Sequence, residues 1–337
     1  MVETELHVST DNSGISVAMH GDESDSRAEF WTQTQRTRID LSVTLGDIRL
    51  SNPVMPASGC FGPELGTLVP LDELGALVTK TVFAAVRSGN PAHRITETPD
   101  GMLNSVGIPS PGIDEFRSRV LPRYLATNVP TIISVGGLTV AEYWTATEQL
   151  AGHDAAALEV NVSCPNLEHG GLAIGTDAAT VERVVSGVVA RSHVPVFVKL
   201  TPNVTSIVDI ARAAEHAGAT AITVANTFPA MSVDATRRTA VLGNGVGGLS
   251  GPAVKPIALR LVWQAARAVD IPVIGCGGIS SARDVLEFLL AGASAVQVGT
   301  ANFARPYAMA EIVRELGPLL AASGTMSVSE VVGSLRV

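Results

Sequence analysis

The sequence predicts an α/β fold, a (β/α)₈ TIM barrel with an N-terminal β-hairpin closing the bottom of the barrel. From residue 39 onward, short apolar runs rich in β-branched residues alternate with longer amphipathic stretches. This alternation is typical of parallel strands that are buried on both faces and joined by helices. Eight such units follow one another, which matches the rhythm of a barrel. An open doubly wound sheet has the same alternation, but no predicted strand leads directly into a G-x-G-x-x-G turn.

The first 37 residues precede this pattern. They are polar, rich in Ser, Thr, Asp and Glu, and without sustained periodicity, so we expect residues 1–37 to form a flexible extension. We expect residues 38–337 to form the barrel domain. Its first segment, residues 38–52, predicts a hairpin that turns at Gly46-Asp47 and closes the lower mouth of the barrel.

The eight predicted strands are apolar runs of about five residues each. They cover residues 53–57, 76–80, 131–135, 157–162, 196–200, 221–225, 272–276 and 295–299. Between and after them lie helical patterns, several beginning with Thr, Ser or Asp as an N-cap and some ending at Gly. The helical patterns cover residues 112–127, 139–151, 177–192, 205–217, 252–269, 281–291 and 307–322.

The composition excludes several classes of protein. The net charge of −9 argues against a nucleic-acid partner, which requires clustered Lys and Arg. No apolar run is long enough to span a membrane and no secretory signal opens the chain, so we expect a cytoplasmic protein with no membrane contact. Three cysteines, Cys60, Cys164 and Cys276, lack metal-ligand spacing and predict reduced thiols without a metal site.

Polar or glycine-rich residues follow nearly every predicted strand. Because the carboxyl ends of barrel strands converge on one mouth, we expect these residues to form one site. Lys80 and Lys199 each end a strand, where an ammonium can neutralise a phosphate, an anionic flavin ring or a substrate carboxylate. An ordinary surface role is the alternative for both lysines.

Four asparagines occupy comparable places: Asn104, Asn161, Asn166 and Asn226. An amide offers both a donor and an acceptor, so four of them around one pocket suit a planar heterocycle with alternating C=O and N–H groups. Each asparagine taken singly has the alternative role of a turn residue.

Three glycine clusters come late in the chain, GGLSGP (247–252), GCGGI (275–279) and VGT (298–300). The last loops of a barrel commonly present backbone N–H groups to a phosphate, since glycine permits close approach and a helix N-terminus favours the anion. The alternative is that these glycines only form tight turns.

Cys164 follows a strand by two residues and precedes Pro165 and a loop with paired glycines. A thiolate there can act as a nucleophile or a general base, although a buried, inert thiol is the alternative. Cys60 and Cys276 lie beside glycines at strand ends, and there we favour the inert interpretation.

The motifs NPVMPASGCFG, NSVGIPSPG, EVNVSCPN, VKLTPNV, NTF, GGLSGPAVKPIALR, GCGGI and ASAVQVGTANF occur in this order. Through them, residues 38 to 325 resemble the dihydroorotate dehydrogenases. Cysteine in the SCPN motif looks like class 1, and SGCFG, GGLSGPAVKP and GTANF are most similar to the class 1B catalytic subunit. Dihydropyrimidine dehydrogenases tend to have His where Asn166 stands, which favours an orotate-type substrate.

The resemblance implies FMN-dependent oxidation of (S)-dihydroorotate to orotate in de novo pyrimidine biosynthesis, with Cys164 as the base for the C5 proton and hydride transfer from C6 to flavin N5. The implied substrate-binding residues are Lys80, Asn104, Val106, Gly107, Ile108, Asn161, Asn166, Asn226 and Thr227. The implied FMN-binding residues are Ala57, Ser58, Gly59, Lys80, Thr81, Asn161, Lys199, Val224, Gly251, Gly277, Gly278, Gly299 and Thr300.

The resemblance also implies a homodimer and an iron–sulfur flavoprotein subunit that carries FAD and a cluster, passes electrons to NAD and gives a heterotetramer. Fumarate as acceptor, as in class 1A, is the alternative. Pro109 and Ser110 replace the Gln-Asn common in the substrate loop of class 1B. They motivate a second hypothesis, an FMN-dependent dehydrogenase of another dihydropyrimidine or a cyclic imide. A catalytically inactive binding protein is the third.

Overall fold

The barrel dominates the computed structural model, which describes residues 39–163 and 174–337. With strands numbered along the chain, the described residues form an eight-stranded sheet in the order β3-β18-β17-β12-β11-β10-β9-β4. The backbone N–H of Gly75, just before β4, donates to Val54 O in β3 at 2.9 Å, so the two ends of the sheet meet. These strands are β3 (Val54–Pro56), β4 (Leu77–Val78), β9 (Thr131–Val135), β10 (Ala157–Asn161), β11 (Val196–Lys199), β12 (Ala221–Val224), β17 (Val273–Cys276) and β18 (Ala293–Val298).

All neighbouring strands within this sheet pair in parallel. Each of the eight strands overlaps one predicted strand. The side chains of β9, β10, β11 and β12 are buried throughout, because one face of each strand fills the barrel interior and the other packs on helices. The predicted (β/α)₈ barrel is therefore confirmed.

Helices cover the outside of the barrel. They are α1 (Ile113–Glu115), α2 (Leu121–Leu125), α3 (Val140–Gln149), α4 (Ala178–Val189), α5 (Ile207–His216), α6 (Lys255–Ala266), α7 (Ala282–Leu290), α8 (Ala301–Ala304), α9 (Ala308–Ala322) and α10 (Val328–Val331). The single helix expected over 112–127 is divided by a π-helical segment, Phe116–Val120. Helices α8 and α10 were not predicted. The N-cap side chains of Thr139, Asp177, Ser206 and Ser281 each accept a backbone N–H, as their residue types predict.

A hairpin precedes the barrel, as predicted. It pairs β1 (Val43–Leu45) with β2 (Ile48–Leu50) in antiparallel register and turns at Gly46, whose φ is +62°. Leu45 and Leu50 are fully buried. Gly46 lies against Thr220, the residue before β12, so the hairpin packs at the amino ends of the barrel strands and closes that end of the barrel.

A second, antiparallel sheet crosses the opposite mouth and was not predicted. Its order is β13-β16-β7-β6, formed by β6 (Ile95–Thr98), β7 (Gly101–Asn104), β13 (Phe228–Met231) and β16 (Val246–Ser250). Strands β6 and β7 follow β4, whereas β13 and β16 follow β12, which lies on the opposite side of the barrel. The mouth sheet therefore bridges the full width of the opening. Smaller pairs join β5 (Val86–Arg87) to β8 (Ser110–Pro111) and β14 (Val233–Asp234) to β15 (Thr239–Ala240).

Candidate active site

A cavity of about 880 Å³ lies under the mouth sheet, at the carboxyl ends of the barrel strands. Its walls come from loops widely separated in the sequence, as a barrel requires. The lining includes these residues of the predicted site: Ala57, Ser58, Gly59, Lys80, Thr81, Asn104, Val106, Gly107, Ile108, Asn161, Lys199, Asn226, Thr227, Gly251, Gly277, Gly278, Gly299 and Thr300.

The remaining predicted residues fall elsewhere. Cys164 and Asn166 lie outside the described residues, as does the extension expected over residues 1–37. Ser163, the residue before Cys164, lines the cavity. Val224 is fully buried at the end of β12 and does not belong to the lining, in which Ala225 takes its place.

Lys199 ends β11 and is buried, with 3% of its surface exposed. Its Nζ donates to Gln297 Oε1 at 2.8 Å, and Gln297 Nε2 donates in turn to Glu159 Oε2 at 2.5 Å. Burial acts to lower the pKa of Lys199, but Cys276 and Glu159 beside it raise it, and the net shift is upward. The ammonium therefore stays charged at the cavity floor.

Lys80 follows β4 and approaches the cavity along Gly59. A Cβ added at Gly59 would lie 2.5 Å from Lys80 Cδ and 2.8 Å from Lys80 Nζ, so the missing side chain at residue 59 leaves room for Lys80. The φ of +76° at Gly59 demands glycine. Burial lowers the pKa of Lys80, Cys60 raises it, and Lys199 lowers it further. Two ammonium groups thus make the inner cavity suitable for an anion.

The described asparagines are oriented by hydrogen bonds with one another and with the backbone. Asn226 Nδ2 donates to Asn161 Oδ1 at 3.2 Å, and Ser163 N–H donates to the same oxygen at 3.1 Å. Asn104 Nδ2 donates to Gly248 O at 3.4 Å, which links β7 to β16. These contacts hold the amides along one wall, where their remaining donors and acceptors suit a polar heterocycle.

Glycines on three loops form the far wall. Gly251, Gly277 and Gly278 have φ values of +98°, +135° and +77°, a region that favours glycine. Within the described part of the chain, the backbone N–H groups of Gly277, Gly278 and Thr300 donate no hydrogen bond. Backbone donors left open beside helix N-termini are the usual partners of a phosphate. The wall therefore has the chemistry of an anion cradle.

The two described cysteines also line the cavity. Burial raises the pKa of Cys60 to about 11, although Lys199 beside it acts to lower it. Burial likewise raises the pKa of Cys276. Both groups are neutral thiols near pH 7, which agrees with the inert interpretation of these two cysteines.

Pro109 and Ser110 do not line the cavity. Ser110 is buried, and its Oγ accepts hydrogen bonds from Phe83 N–H at 3.0 Å and Gly112 N–H at 3.2 Å. Ser110 therefore has a structural role, and neither residue lines the cavity. The departure from the class 1B loop sequence at these positions gives no support to a different substrate.

The sequence prediction missed several polar residues of the site, among them Gln297 and Glu159 below the cavity floor and Ser250 on the wall. Ser250 Oγ accepts from Thr300 Oγ1 at 2.8 Å. The available signal was the occurrence of Glu and Gln inside the apolar strands ALEVNV and AVQVG, since a fully buried strand rarely carries either type. Within residues 39–163 and 174–337, no cluster of His, Cys, Asp or Glu suits a metal ion, and no helix is long and apolar enough to cross a membrane.

Comparison with known proteins identifies relatives of the whole barrel. The family model described as dihydroorotate dehydrogenase matches residues 40–320. A protein of Trichlorobacter lovleyi named dihydroorotate dehydrogenase B (NAD(+)), catalytic subunit, is 49% identical over 299 residues, 88% of this chain and 98% of that protein. Proteins with the same name from Geobacter metallireducens and Desulforamulus reducens are 48% and 47% identical over 303 residues, 89% of this chain and 99% and 100% of theirs.

Proposed function

Because the chain belongs to the dihydroorotate dehydrogenase family, we propose that it catalyses the FMN-dependent oxidation of (S)-dihydroorotate to orotate in pyrimidine biosynthesis. One observation gives this proposal its strongest support. A single cavity brings together two lysines, the three predicted amide side chains that the structure describes and a glycine-rich wall, from loops across the whole barrel. The lysines and amides suit an anionic pyrimidine, and the glycine wall suits the phosphate of a flavin nucleotide.

The described residues fit FMN. Gly251, Gly277, Gly278, Gly299 and Thr300 line one wall, where open backbone N–H groups can hold the phosphate. Ala57, Ser58, Gly59 and Thr81 supply small side chains beside the two lysines, where a flat ring can lie. Lys199 presents a buried positive charge at the cavity floor, which stabilises electron-rich forms of such a ring.

Dihydroorotate loses a proton from C5 and a hydride from C6 as orotate forms, and bound FMN supplies the hydride acceptor. Cys164 takes the C5 proton in our proposal. The other two cysteines are unsuited to this role because burial raises the pKa of each thiol. The position of Ser163, the residue before Cys164, in the cavity lining supports this role.

We expect groups from several loops around the cavity to hold the substrate. Asn104, Asn161, Asn226 and Thr227 bind the pyrimidine edges in this proposal, together with Asn166. Lys80 and the backbone of Val106, Gly107 and Ile108 bind the carboxylate. Fixing both ends of the ring presents C5 and C6 to their acceptors in one orientation.

We infer the electron acceptor from the names of the relatives. They are named catalytic subunits of an NAD(+)-dependent enzyme, and this chain has three cysteines, fewer than the four thiolates that usually hold an iron–sulfur cluster. We therefore expect electrons to reach NAD through a second subunit with FAD and an iron–sulfur cluster, in a heterotetramer built on a dimer of this chain.

An anaerobic absorbance spectrum tests the proposed function. The purified protein should show flavin absorbance that bleaches within seconds of adding dihydroorotate. Dihydrouracil and dihydrothymine should leave it unchanged, because they lack the carboxylate for Lys80. Bleaching by either of these instead of dihydroorotate would favour another dihydropyrimidine as substrate. A protein that takes up no FMN would contradict the proposal and revive the binding-protein hypothesis.

A further inference from the structure

A chain of buried polar side chains runs beneath the cavity floor. Lys199 Nζ donates to Gln297 Oε1 at 2.8 Å, Gln297 Nε2 donates to Glu159 Oε2 at 2.5 Å, and Thr223 Oγ1 donates to the same oxygen at 3.0 Å. No more than 3% of the surface of any of these residues is exposed. They come from four different strands, so this series of hydrogen bonds links four strands across the interior of the barrel.

Gln297 is the residue type that this position requires. A glutamine amide can accept from an ammonium with its oxygen and donate to a carboxylate with its nitrogen at the same time. Glu159 Oε1 is buried and has no hydrogen-bond partner within the described residues. The carboxylate is therefore held through Oε2 alone, by Gln297 and Thr223, and a buried carboxylate with few donors is costly.

We propose that Gln297 is a positioning residue that holds the Lys199 ammonium at the cavity floor and couples it to the carboxylate of Glu159. The inference deepens the proposed function and rests on it, because Lys199 is expected beside the FMN ring. Gln297 does not line the cavity, so it acts through Lys199 rather than on the cofactor itself.

The surroundings of Lys199 include the carboxylate of Glu159, which acts to raise the pKa of the lysine. The titratable groups that influence Lys199 are Cys60, Cys276, Glu159 and Lys80. Burial raises the pKa of both cysteines, so near pH 7 they carry no charge. Lys80 is a second cation and opposes protonation of Lys199. Among the groups that raise the pKa of Lys199, Glu159 is the carboxylate that Gln297 joins to it by hydrogen bonds.

The first test measures FMN affinity. Gln297→Met has nearly the same volume but cannot accept from Lys199, and Thr223→Val removes the other hydrogen bond to Glu159 without touching Lys199. Quenching of flavin fluorescence by apoprotein should show a dissociation constant about tenfold weaker for Gln297→Met, as for the loss of one charge-assisted hydrogen bond. Thr223→Val should stay within about twofold of wild type. Equal effects of the two variants would overturn the proposal, since both would then report only disturbed packing.

A double-mutant cycle separates positioning from an independent effect. Lys199→Met alone and Lys199→Met combined with Gln297→Met should bind FMN equally weakly, because Gln297 has nothing to position once the ammonium is gone. Additive losses would overturn the proposal.

Glu159→Gln tests the coupling and does not depend on the folding of Gln297→Met. The amide can still accept from Gln297 and Thr223, but the negative charge is gone, so the pKa of Lys199 falls. FMN binding that depends on the ammonium should then weaken at a lower pH than in the wild-type protein, between about pH 8 and pH 10.5. An identical alkaline profile for the two proteins would overturn the coupling to Glu159.

The wild-type protein in the same titration separates the two proposals. If it binds no FMN, the proposed function fails and this inference fails with it. If it binds FMN and bleaches with dihydroorotate while Gln297→Met binds equally tightly, only the role of Gln297 is contradicted.

Discussion

Burial shifts the pKa values of the titratable side chains at the cavity, and the direction depends on the residue type. Cys60 and Cys276 are held neutral in a low-dielectric floor beside Lys199, whereas a base for C5 needs a thiol whose pKa is matched to neutral pH. The surroundings of Cys60 and Cys276 therefore make these two thiols unsuited to act as the base.

Cys164→Ala should separate cofactor binding from chemistry. The variant should bind FMN normally, but dihydroorotate should reduce it about a hundred- to ten-thousand-fold more slowly at pH 7, as expected for the loss of a general base. Stopped-flow absorbance under anaerobic conditions measures the rate. Cys60→Ala is the matched control, and its reduction rate should stay within about threefold of wild type. A Cys164→Ala protein reduced at the wild-type rate would remove this thiol from the mechanism.

Gly59→Ala should act on Lys80. The new Cβ meets Lys80 Cδ and Nζ, so the ammonium must move, and the affinity for dihydroorotate should fall about tenfold. The strained φ should also lower the free energy of unfolding by about 1–2 kcal/mol.

Gly152→Ala is the control for this backbone strain. Its φ is +79°, but an added Cβ meets no atom within 4 Å, so this variant should lose stability without losing substrate affinity. Calorimetry and substrate titration of the two variants measure the difference. Equal substrate affinities would contradict the role given to Lys80.

Among the secondary-structure elements, helices α6 and α7 are linked at their starts by Asp284. Its carboxylate accepts from Lys255 Nζ at 2.6 Å and from Ser280 and Ser281. Burial acts to raise the pKa of Asp284, but these hydrogen bonds outweigh it and the net shift is downward. Both helices adjoin the glycine wall, since Gly278 packs against Lys255.

Asp284→Asn should reduce stability in a pH-dependent way. A lowered pKa in the folded state means that the stabilisation is fully present above the unfolded pKa of about 3.9 and is lost as pH falls through the folded value. Urea denaturation should show a loss of about 1–3 kcal/mol at pH 7 that shrinks below about pH 4. Glu115→Gln removes an exposed pair with Arg119 and should change stability by less than about 0.5 kcal/mol. A pH-independent loss in Asp284→Asn would contradict the ionic role.

The elements that sequence reasoning found and missed differ in burial. The barrel strands were predictable because each is a short apolar run buried on both faces. The mouth sheet was missed because β6 and β16 are partly exposed, and VGGLS in β16 is rich in glycine, which is depleted in strands. Local composition carries no signal for pairing between loops that are 144 residues apart, as Asn104 and Gly248 are.

Local composition was also an incomplete guide to the residues of the site. Lys80, Asn161 and the glycine loops were recognisable because they interrupt an apolar rhythm at strand ends. Gln297 and Glu159 lie within that rhythm, and only the closed barrel shows that they bond to each other across its interior.

Among the described residues of the whole molecule, one large cavity fits the proposed reaction and no side-chain cluster suits a metal ion. We expect the chain alone, reduced by dihydroorotate, to remain bleached after NAD is added under anaerobic conditions. An artificial dye acceptor should reoxidise it, which controls for access to the flavin. Rapid reoxidation by NAD would contradict the need for a second subunit, and rapid reoxidation by fumarate would favour a class 1A-like enzyme.

The mouth sheet constrains how this barrel can be altered. Its strands arise from insertions on opposite sides of the barrel wall, and β7 and β16 share a hydrogen-bonded register. A chimaera that takes one insertion from a relative and keeps the other would pair mismatched edges above the cavity. The two insertions must therefore be exchanged together if a hybrid is to keep an intact mouth sheet above the cavity.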